Sequence, residues 1–452
     1  MTIKQCIIIG GGPAGSSAAI AATEAGLNSV LLIERDAFGG TCTNRGCIPT
    51  KFFLSRSEAL TDSVKSGGLA AAEWRRVLNH KNALVQGLSR SLEAKCSGQG
   101  VEIVRGNARF VSPHEIEVLD GKGGRAVYEA RQIIIATGSQ PAELPGTPCD
   151  GISIITSDQA LNLDPLPSSL AIIGSGAVGA EFAFIFTRLG VAVTLIEAAK
   201  RLFPAEDPDV DAVFRKTYTR MGVTVHTGDP VVGIDKRDGS ESVAVLLQSG
   251  AVVTAAKVLV GVGRVLGTRG LECEVAGIDL DQRGGVRVDE ELRTSQSHIL
   301  AGGDVTGRML LAHAASYMGE YAGRTAAGKP FAPVPYHSIP RATFTTPEVA
   351  AVGSSLEAAE FSGLSCATTT IALMENVKAR IDRTTEGFVK MVTEQQTGRI
   401  VGGTIVGPHA SDLIHIIAMA IHQRMTIADM RGFSFVHPSI AESVGDLFRK
   451  IK

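Results

Sequence analysis

The chain has 452 residues, 44% of them hydrophobic and 20% charged, with a formal net charge of −2 at pH 7. This balance leaves no basic excess to favour nucleic acid or an anionic membrane surface, and no apolar run approaches the ~20 residues that span a bilayer. We therefore expect no nucleic-acid partner and no membrane insertion, and the length predicts two to four domains.

The seven cysteines are dispersed along the chain, at positions 6, 42, 47, 96, 149, 273 and 366. An odd and scattered set is not typical of the disulfide framework of a secreted protein. The first six residues lead directly into an apolar strand, which leaves no room for a signal peptide. The sequence therefore predicts a cytoplasmic protein.

The first element is a short apolar strand that ends in a glycine-rich loop. Residues 6–12 read Cys-Ile-Ile-Ile-Gly-Gly-Gly, and Gly10, Gly12 and Gly15 fit the pattern G-x-G-x-x-G ahead of an Ala-rich helix. Such a loop lets a pyrophosphate approach the backbone and the N-terminus of the helix. The next apolar strand ends in Glu34, where a carboxylate can accept hydrogen bonds from a ribose diol. This unit predicts a dinucleotide site.

Two cysteines, Cys42 and Cys47, follow this unit and are separated by four residues. Thiols this close can form a small ring, so oxidation and reduction interconvert them without moving a domain. Pro49 is typical of a helix start, which places Cys47 at an N-terminus that stabilises its thiolate. Two structural cysteines or a metal-binding loop are the alternatives, although no second Cys/His pair at zinc spacing lies nearby. A redox pair beside an electron carrier is the favoured interpretation.

The nucleotide-binding pattern recurs in the middle of the chain. An apolar strand leads to Gly174, Gly176 and Gly179, a helical run follows, and a further strand ends in Glu197. Two dinucleotide sites and one dithiol favour a tightly held flavin, FAD, and an exchangeable nicotinamide. The Glu197 carboxylate suits a free 2′-hydroxyl and repels a 2′-phosphate, which predicts NAD(H) over NADP(H). The alternative is one working site and one degenerate repeat.

The combined pattern resembles the class I pyridine nucleotide-disulfide oxidoreductases, the family of dihydrolipoamide dehydrogenase, glutathione reductase and mercuric reductase. The resemblance spans the whole length. Beyond the first loop and the dithiol, it rests on Ala136-Thr137-Gly138-Ser139-Gln140-Pro141, Gly261-Val262-Gly263-Arg264, Ala301-Gly302-Gly303-Asp304, Thr345-Thr346-Pro347-Glu348-Val349 and His437-Pro438-Ser439-Ile440-Ala441-Glu442. One departure is that Val265-Leu266-Gly267 replaces the usual Pro-Asn after the arginine.

The resemblance implies an α/β fold with two Rossmann-like dinucleotide-binding domains, for FAD and NAD, and a C-terminal α+β dimerisation domain. The implied FAD domain has two parts, 1–150 and 265–335, the NAD domain covers 151–264, and the dimerisation domain covers 336–452. The implied partner is a second copy of the chain, with each active site shared between two subunits. Residues 62–90 predict an amphipathic helix.

The resemblance also assigns roles at the dithiol. Cys47 is implied as the thiol beside the flavin and Cys42 as the thiol that meets the substrate. Lys51 is implied near the flavin, with Glu181 as its ion-pair partner, although a surface lysine and a surface glutamate are the simpler readings of each residue alone. Further cofactor contacts are implied for Thr41, Thr137, Gly138, Gly263, Asp304 and Ala312. No metal site is predicted.

A proton acceptor for thiol exchange is implied at His437. Glu442 follows five residues later and can accept one imidazole N–H, which holds the other nitrogen toward a thiol. The family resemblance implies that this histidine reaches the dithiol of the other subunit. A structural histidine is the alternative.

Three comparisons within the family favour dihydrolipoamide as the substrate. Mercuric reductases carry an extra Cys pair near the C-terminus, whereas no cysteine follows Cys366 here. Glutathione reductases hold a charged tripeptide with arginines on the first helix, whereas Ser16-Ser17-Ala18-Ala19-Ile20-Ala21 offers no cation. The segment from Asn44 to Lys51 resembles dihydrolipoamide dehydrogenases most, although Phe435 replaces a further histidine that is frequent in that subfamily.

The predicted reaction passes electrons from dihydrolipoamide through the Cys42-Cys47 pair and FAD to NAD+. One alternative is an NAD(P)H-dependent reductase of another small disulfide, as in glutathione reductases. A second is a subunit that works only with the lipoyl domains of a multienzyme complex. A third is a non-thiol flavoprotein such as a transhydrogenase.

Overall fold

The computed structural model describes residues 3–65, 69–236 and 242–451. The elements up to residue 141 are β1 (Lys4–Ile9), α1 (Pro13–Glu24), β2 (Val30–Glu34), α2 (Gly40–Arg45), α3 (Cys47–Lys65), α4 (Ala71–Gly98), β3 (Glu102–Arg105), β4 (Asn107–Ser112), β5 (Glu115–Leu119), β6 (Arg125–Ile135) and β7 (Ser139–Pro141). The elements from residue 142 to 263 are β8 (Ile154–Ile155), α5 (Ser157–Ala160), β9 (Ser169–Ile173), α6 (Ala177–Arg188), β10 (Ala192–Glu197), α7 (Asp209–Met221), β11 (Thr224–Thr227), β12 (Val231–Asp235), β13 (Val243–Leu247), β14 (Val252–Ala255) and β15 (Lys257–Val260).

The remaining elements begin with the strand that carries Arg264. They are β16 (Arg264–Leu266), β17 (Ile299–Ala301), α8 (Ala312–Ala326), β18 (Arg341–Thr343), β19 (Glu348–Gly353), α9 (Leu356–Phe361), β20 (Cys366–Ala372), α10 (Val377–Ile381), β21 (Phe388–Glu394), β22 (Ile400–Gly407), α11 (Ala410–His422), α12 (Ile427–Met430) and α13 (Glu442–Lys450). Short 3-10 helices lie at Cys273–Ala276, Asp304–Thr306, Tyr336–Ser338 and Leu373–Glu375.

The first sheet has the strand order β3-β2-β1-β6-β5-β4, and β17 also pairs with β6. Strands β1, β2, β3 and β17 run parallel, and Ile7 lies between Leu31 of β2 and Ile133 of β6. These central residues are fully buried, which explains why the strands read as continuous apolar runs. Because β17 comes from residues 299–301, the sheet is built from two stretches far apart in the chain.

The second sheet has the parallel order β11-β10-β9-β15-β8, with an antiparallel sheet β12-β13-β14 beside it. Its helix α6 is largely buried, and Phe182, Phe184 and Phe186 pack into one core cluster with Phe53 of α3. The packing of α6 on α3 places the second glycine loop near the helix that begins with Cys47. The short strands β7 and β16, which lie before and after the second sheet in the chain, pair antiparallel.

The third sheet is antiparallel, in the order β18-β19-β22-β21-β20. Helix α11 covers β19 and β22, and apolar side chains such as Ile405, Ile414 and Ile417 fill the space between them. Two Rossmann-like units and a C-terminal α+β unit confirm the predicted fold class.

The predicted helix over 62–90 needs a correction. Helix α3 ends at Lys65, α4 begins at Ala71, and residues 69–70 between them are not helical. Residues 66–68 lie outside the described part of the chain. The sequence there contains two adjacent glycines, Gly67 and Gly68, which disfavour a continuous helix. In the described ranges, none of the helices combines the length and apolar character needed to cross a membrane.

Candidate active site

The two glycine loops have the same geometry. Gly10 and Gly174 have positive φ angles of 106° and 99°. A Cβ atom on Gly15 would lie 1.7 Å from the carbonyl oxygen of Gly10, and one on Gly179 would lie 1.8 Å from that of Gly174. Only glycine fits these four positions, so both loops hold the backbone in the shape that lets a pyrophosphate approach.

The two acidic residues at the strand ends are also equivalent. The buried Glu34 carboxylate accepts a hydrogen bond from the Gly11 N–H at 2.6 Å. The buried Glu197 carboxylate accepts one from the Ser175 N–H at 2.8 Å and another from the Ser175 hydroxyl at 2.8 Å. Each carboxylate is therefore fixed beside its glycine loop, where a ribose would lie.

Helix N-termini point into the region between the loops. Helices α1 and α6 start after Gly12 and Gly176, and α8 starts at Ala312. No side chain caps these three starts. Their first N–H groups and the positive ends of the helix dipoles therefore remain available to an anionic ligand.

A cleft of about 2260 Å³ runs between the sheets. Its lining includes both cysteines and the predicted contacts Gly10, Gly12, Glu34, Thr41, Lys51, Thr137, Gly138, Glu181, Asp304 and Ala312. Small-molecule sites usually measure about 300–1,000 Å³, so this cleft suits a larger ligand. The lining does not include Gly15, Gly174, Gly176, Gly179, Glu197, Gly263, His437 or Glu442.

The cleft fits FAD by its own chemistry. The hydroxyl oxygen of Thr137 is buried and lacks a hydrogen-bond partner among the described residues. Gly138 follows it with a φ of 70° and open space where a side chain would be. A polar ligand bound here could form a hydrogen bond with the Thr137 hydroxyl and contact the backbone at Gly138. With the first loop and the start of α8, they form a cradle for a dinucleotide.

The dithiol is attached to the first glycine loop. The Gly39 N–H donates to the Gly11 carbonyl at 2.8 Å, and a Cβ atom on Gly40 would lie 2.8 Å from Cα of Gly12. Helix α2 therefore starts in direct contact with the loop. Cys42 lies in α2, and Cys47 is the first residue of α3.

The two thiols differ in acidity. A hydrogen bond from the Cys42 thiol lowers the pKa of Cys47 to about 7, burial opposes this shift, and the nearby Lys51 cation supports it. The same hydrogen bond, together with burial, raises the pKa of Cys42 well above its ordinary value. Cys47 is therefore the thiolate of the pair near neutral pH, and Cys42 holds the proton.

The predicted ion pair between Lys51 and Glu181 is present. The Lys51 ammonium lies 3.0 and 2.9 Å from the two carboxylate oxygens of Glu181. The carboxylate also accepts the backbone N–H of Phe344 at 2.9 Å, and the Lys51 nitrogen lies 4.6 Å from the centre of the Phe344 ring. The Glu181 side chain is only 4% exposed, so the pair is held in place on the wall of the cleft.

We expect opposite shifts when the two members of this pair are removed. In a Cys42→Ser background, where Cys47 is the remaining thiol of the pair, Lys51→Met should raise the pKa of Cys47 by about one unit because a cation is lost. Glu181→Gln should lower it, because the carboxylate raises that pKa. The measurement is the pH dependence of the alkylation rate of Cys47. A shift in the same direction for both variants would indicate a general disturbance, and Lys378→Met, at an exposed ion pair with Asp382, is the control.

His437 and Glu442 form the predicted hydrogen bond. The Nδ1 atom of His437 lies 2.9 Å from a Glu442 oxygen, and the other oxygen accepts the backbone N–H of Ser439 at 2.9 Å. The buried Asn376 amide donates to the Ser439 carbonyl at 3.0 Å and steadies this segment. The His437 side chain is 67% exposed and does not line the cleft of its own chain.

The first helix lines little of the cleft, contrary to the prediction from the sequence. Ser16, Ala18, Ala19 and Ala21 are buried, and the cleft meets only Pro13 and Ala14 of α1. The reason is the close packing of α8 on α1. A Cβ atom on Gly319 would lie 2.0 Å from the Ala14 carbonyl oxygen, and one on Gly323 would lie 2.3 Å from that of Ala18. The missing arginines in this stretch therefore carry no information about the substrate.

Several residues of the site were not predicted from the sequence. Ser139 and Arg264 bond to each other inside the cleft, and Phe344 covers the ion pair. His415, on α11, also lines the cleft. Ser139 and Arg264 lie within two of the recognised motifs, but their separation of 125 residues gives no local signal of their contact.

The fold and the cleft define a class of protein. Two dinucleotide-binding units beside a pair of thiols are typical of a nucleotide-dependent disulfide oxidoreductase. Residues 4–319 match the family model "Pyridine nucleotide-disulphide oxidoreductase". Residues 339–448 match the model of the dimerisation domain of the same family.

Curated relatives and solved structures agree with these matches. Dihydrolipoyl dehydrogenase from Bacillus subtilis is 36% identical over 97% of this chain and 96% of its own length. The crystal structure of LpdA from Mycobacterium tuberculosis superimposes with a TM-score of 0.90 at 29% identity, covering 99% of both chains. The Cu(II) complex of the HOCl-induced flavoprotein disulfide reductase RclA from Escherichia coli gives a TM-score of 0.88 at 29% identity, covering 100% of both chains.

The chain therefore belongs to the pyridine nucleotide-disulphide oxidoreductases. Its cofactors are FAD and NAD, as the two loops predicted. The match to the dimerisation domain supports a homodimer.

Proposed function

We propose that this oxidoreductase oxidises dihydrolipoamide with NAD+, using Cys42 and Cys47 as its redox pair. The observation that carries the proposal is the position of the pair. Both thiols line the FAD-sized cleft, and Cys47, the more acidic of the two, starts a helix that also carries Lys51. A low-pKa thiol at a helix N-terminus is the arrangement of reactive cysteines. The names of the curated relatives support the choice of substrate.

The proposed cofactor contacts follow from the two glycine loops and, for FAD, from the residues that line the cleft. Gly10, Gly12, Gly15 and Glu34 would hold the adenosine end of FAD, while further FAD contacts would come from Thr41, Thr137, Gly138, Asp304 and Ala312. NAD would bind at Gly174, Gly176, Gly179, Glu197 and Gly263. We also propose the division 1–150, 151–264, 265–335 and 336–452, which the shared sheet of β6 and β17 supports. When bound, FAD would supply a two-electron carrier between the dithiol and NAD+.

The protein's own residues perform the thiol exchange. In the oxidised protein Cys42 and Cys47 are joined as a disulfide. His437, contributed by the partner subunit, takes the proton of one substrate thiol, and the new thiolate attacks Cys42 to form a mixed disulfide while Cys47 leaves as a thiolate. The second substrate sulfur then displaces Cys42 as a thiol, which closes the substrate disulfide and leaves the pair reduced. Glu442 keeps the His437 ring oriented throughout.

One part of the cleft wall, formed by α3 and α4, suits an aliphatic substrate. Ile48 and Phe52 of α3 line the cleft together with Leu84 and Leu88 of α4. These leucines are 41% and 40% exposed, so they present apolar surface to an incoming ligand. An uncharged disulfide in an aliphatic chain covers such a wall without leaving charges unpaired.

We expect a comparison of substrates to distinguish the proposed function from its alternatives. Lipoamide, glutathione disulfide and other small disulfides are compared, each with NADH and NADPH, by steady-state kcat/KM. Lipoamide with NADH should be the best pair, and NADH should exceed NADPH by at least about tenfold because Glu197 repels a 2′-phosphate. A preference for another disulfide would favour the alternative reductase, an outcome consistent with the structural similarity of this chain to the disulfide reductase RclA. Turnover only in the presence of lipoyl domains would favour a subunit of a multienzyme complex.

We propose that the protein is located in the cytoplasm and that lipoyl domains are its partners. The scattered cysteines support this location, since a secreted protein of this size would more often carry paired cysteines.

Within the described residues, no group of three or more His, Cys, Asp or Glu side chains could hold a metal ion.

A further inference from the structure

A polar cluster lies in the wall of the cleft where strands β7 and β16 meet. Its members are Ser139 at the start of β7, Arg264 at the start of β16 and Asp304 at the start of a 3-10 helix. All three line the cleft. They come from three motifs that are distant in the chain, and the antiparallel pairing of β7 with β16 brings the first two together.

The cluster is a chain of short hydrogen bonds. Arg264 donates from Nε to the Ser139 hydroxyl oxygen at 2.5 Å and from its terminal nitrogen to the Ser139 carbonyl at 2.8 Å. The Ser139 hydroxyl in turn donates to Oδ2 of Asp304 at 2.5 Å, and Arg264 lies 3.8 Å from the same oxygen. A hydroxyl that accepts from a cation becomes a stronger donor, so Ser139 transmits the charge of Arg264 to the carboxylate.

The geometry fixes one oxygen of Asp304. Both the hydrogen bond and the ion pair use Oδ2, so a ligand in the cleft would be met by Oδ1. Ser139 is only 6% exposed, and the side chains of Arg264 and Asp304 are 20% and 21% exposed. A hydroxyl and a cation therefore both face the same oxygen of this partly buried carboxylate.

We propose that Ser139 and Arg264 are positioning residues for FAD, which hold the Asp304 carboxylate with Oδ1 turned toward the cleft. The inference rests on the proposed contact between Asp304 and FAD, and it explains how that contact is prepared. The two strands already pair through their backbones, so the side-chain contacts are not needed to join them. The Arg264 guanidinium also lies 3.5 Å from the Thr41 hydroxyl, one residue before Cys42, which places it against the dithiol helix.

The test is the affinity of FAD, measured as its release from the diluted holoprotein by the rise in free-flavin fluorescence. Ser139→Ala and Arg264→Met should each weaken binding about tenfold, the typical effect of losing one hydrogen bond to a charged group. Arg264→Lys should recover part of the loss, because it keeps the charge but not the two-point contact. Thermal unfolding shows whether each variant is folded.

Two matched controls come from exposed pairs elsewhere. Ser249→Ala removes a similar hydroxyl bond, 2.6 Å from Asp229, and Arg449→Met removes an arginine 2.6 Å from Asp446. Both should bind FAD within about twofold of the wild type, as expected of exposed pairs. If Ser139→Ala and Arg264→Met behave like these controls, the inference is wrong.

Asp304→Ala separates this inference from the proposed function. It should weaken FAD binding, and adding Ser139→Ala to it should then have little further effect, because the two residues act on one contact. If Asp304→Ala weakens binding while Ser139→Ala and Arg264→Met do not, only the positioning role is overturned. If Asp304→Ala has no effect, the contact with FAD itself is overturned as well. Fully additive losses would also contradict the inference.

Discussion

Replacing Cys42 by serine should abolish dithiol oxidation while FAD remains bound. A serine oxygen cannot form the mixed disulfide with the substrate, so turnover of dihydrolipoamide should fall by at least about a thousandfold. FAD should be retained because the glycine loop is unchanged and the Gly39–Gly11 hydrogen bond uses only backbone atoms. The measurements are steady-state turnover with NAD+ and the flavin absorbance of the purified protein.

Two comparisons make this result specific. Electron transfer from NADH to an artificial acceptor should continue in Cys42→Ser, because that half of the reaction does not use the dithiol. Cys366→Ser, which changes a partly exposed cysteine on β20, should keep full activity. Lipoamide turnover close to the wild-type rate in Cys42→Ser would show that the protein is a non-thiol flavoprotein.

Replacing His437 by glutamine should lower kcat/KM for dihydrolipoamide about 10²- to 10⁴-fold, the usual contribution of a general base. Glutamine keeps a polar side chain of similar size but cannot take the substrate proton. Glu442→Gln should have a smaller effect, because the carboxylate orients the ring and does not touch the substrate. His409→Gln, at another exposed histidine with a nearby carboxylate, is the control and should be unaffected. Activity of His437→Gln within about threefold of the control would contradict the assignment.

Mixed dimers test whether His437 serves the neighbouring subunit. The histidine lies outside its own cleft, and apolar residues around it, Val436 and Phe433, are 78% and 53% exposed in the single chain. Such exposed apolar residues are typical of an interface. A hybrid of Cys42→Ser and His437→Gln chains contains one intact site, and it should recover about half of the wild-type activity. Hybrids as inactive as their parents would place both residues in the same subunit's site.

The sequence predicted the nucleotide loops because their requirement is local. Gly15 must be glycine on account of the Gly10 carbonyl five residues earlier, and Gly179 repeats this relation with Gly174. A pattern over so few residues is visible without a structure. The pair of Lys51 and Glu181 is different, since 130 residues separate the two. It was accessible only through the family resemblance.

Contacts set by packing between distant elements could not be predicted. The cluster of Ser139, Arg264 and Asp304 depends on the pairing of β7 with β16, and no local pattern encodes that pairing. The error about the first helix has the same origin. Its alanines looked like a neutral lining, but Gly319 and Gly323 allow α8 to approach so closely that they are buried.

The central claim is that the Cys42-Cys47 pair carries electrons between the substrate and the flavin. The most direct measurement adds limiting dihydrolipoamide to the oxidised protein without oxygen or NAD+, labels the new thiols, and maps them by mass spectrometry. We predict one new pair of thiols for each substrate molecule consumed, at Cys42 and Cys47, with a matching change in the flavin spectrum. Reduction of the flavin while these two residues stay joined, or label on other cysteines alone, would contradict the claim.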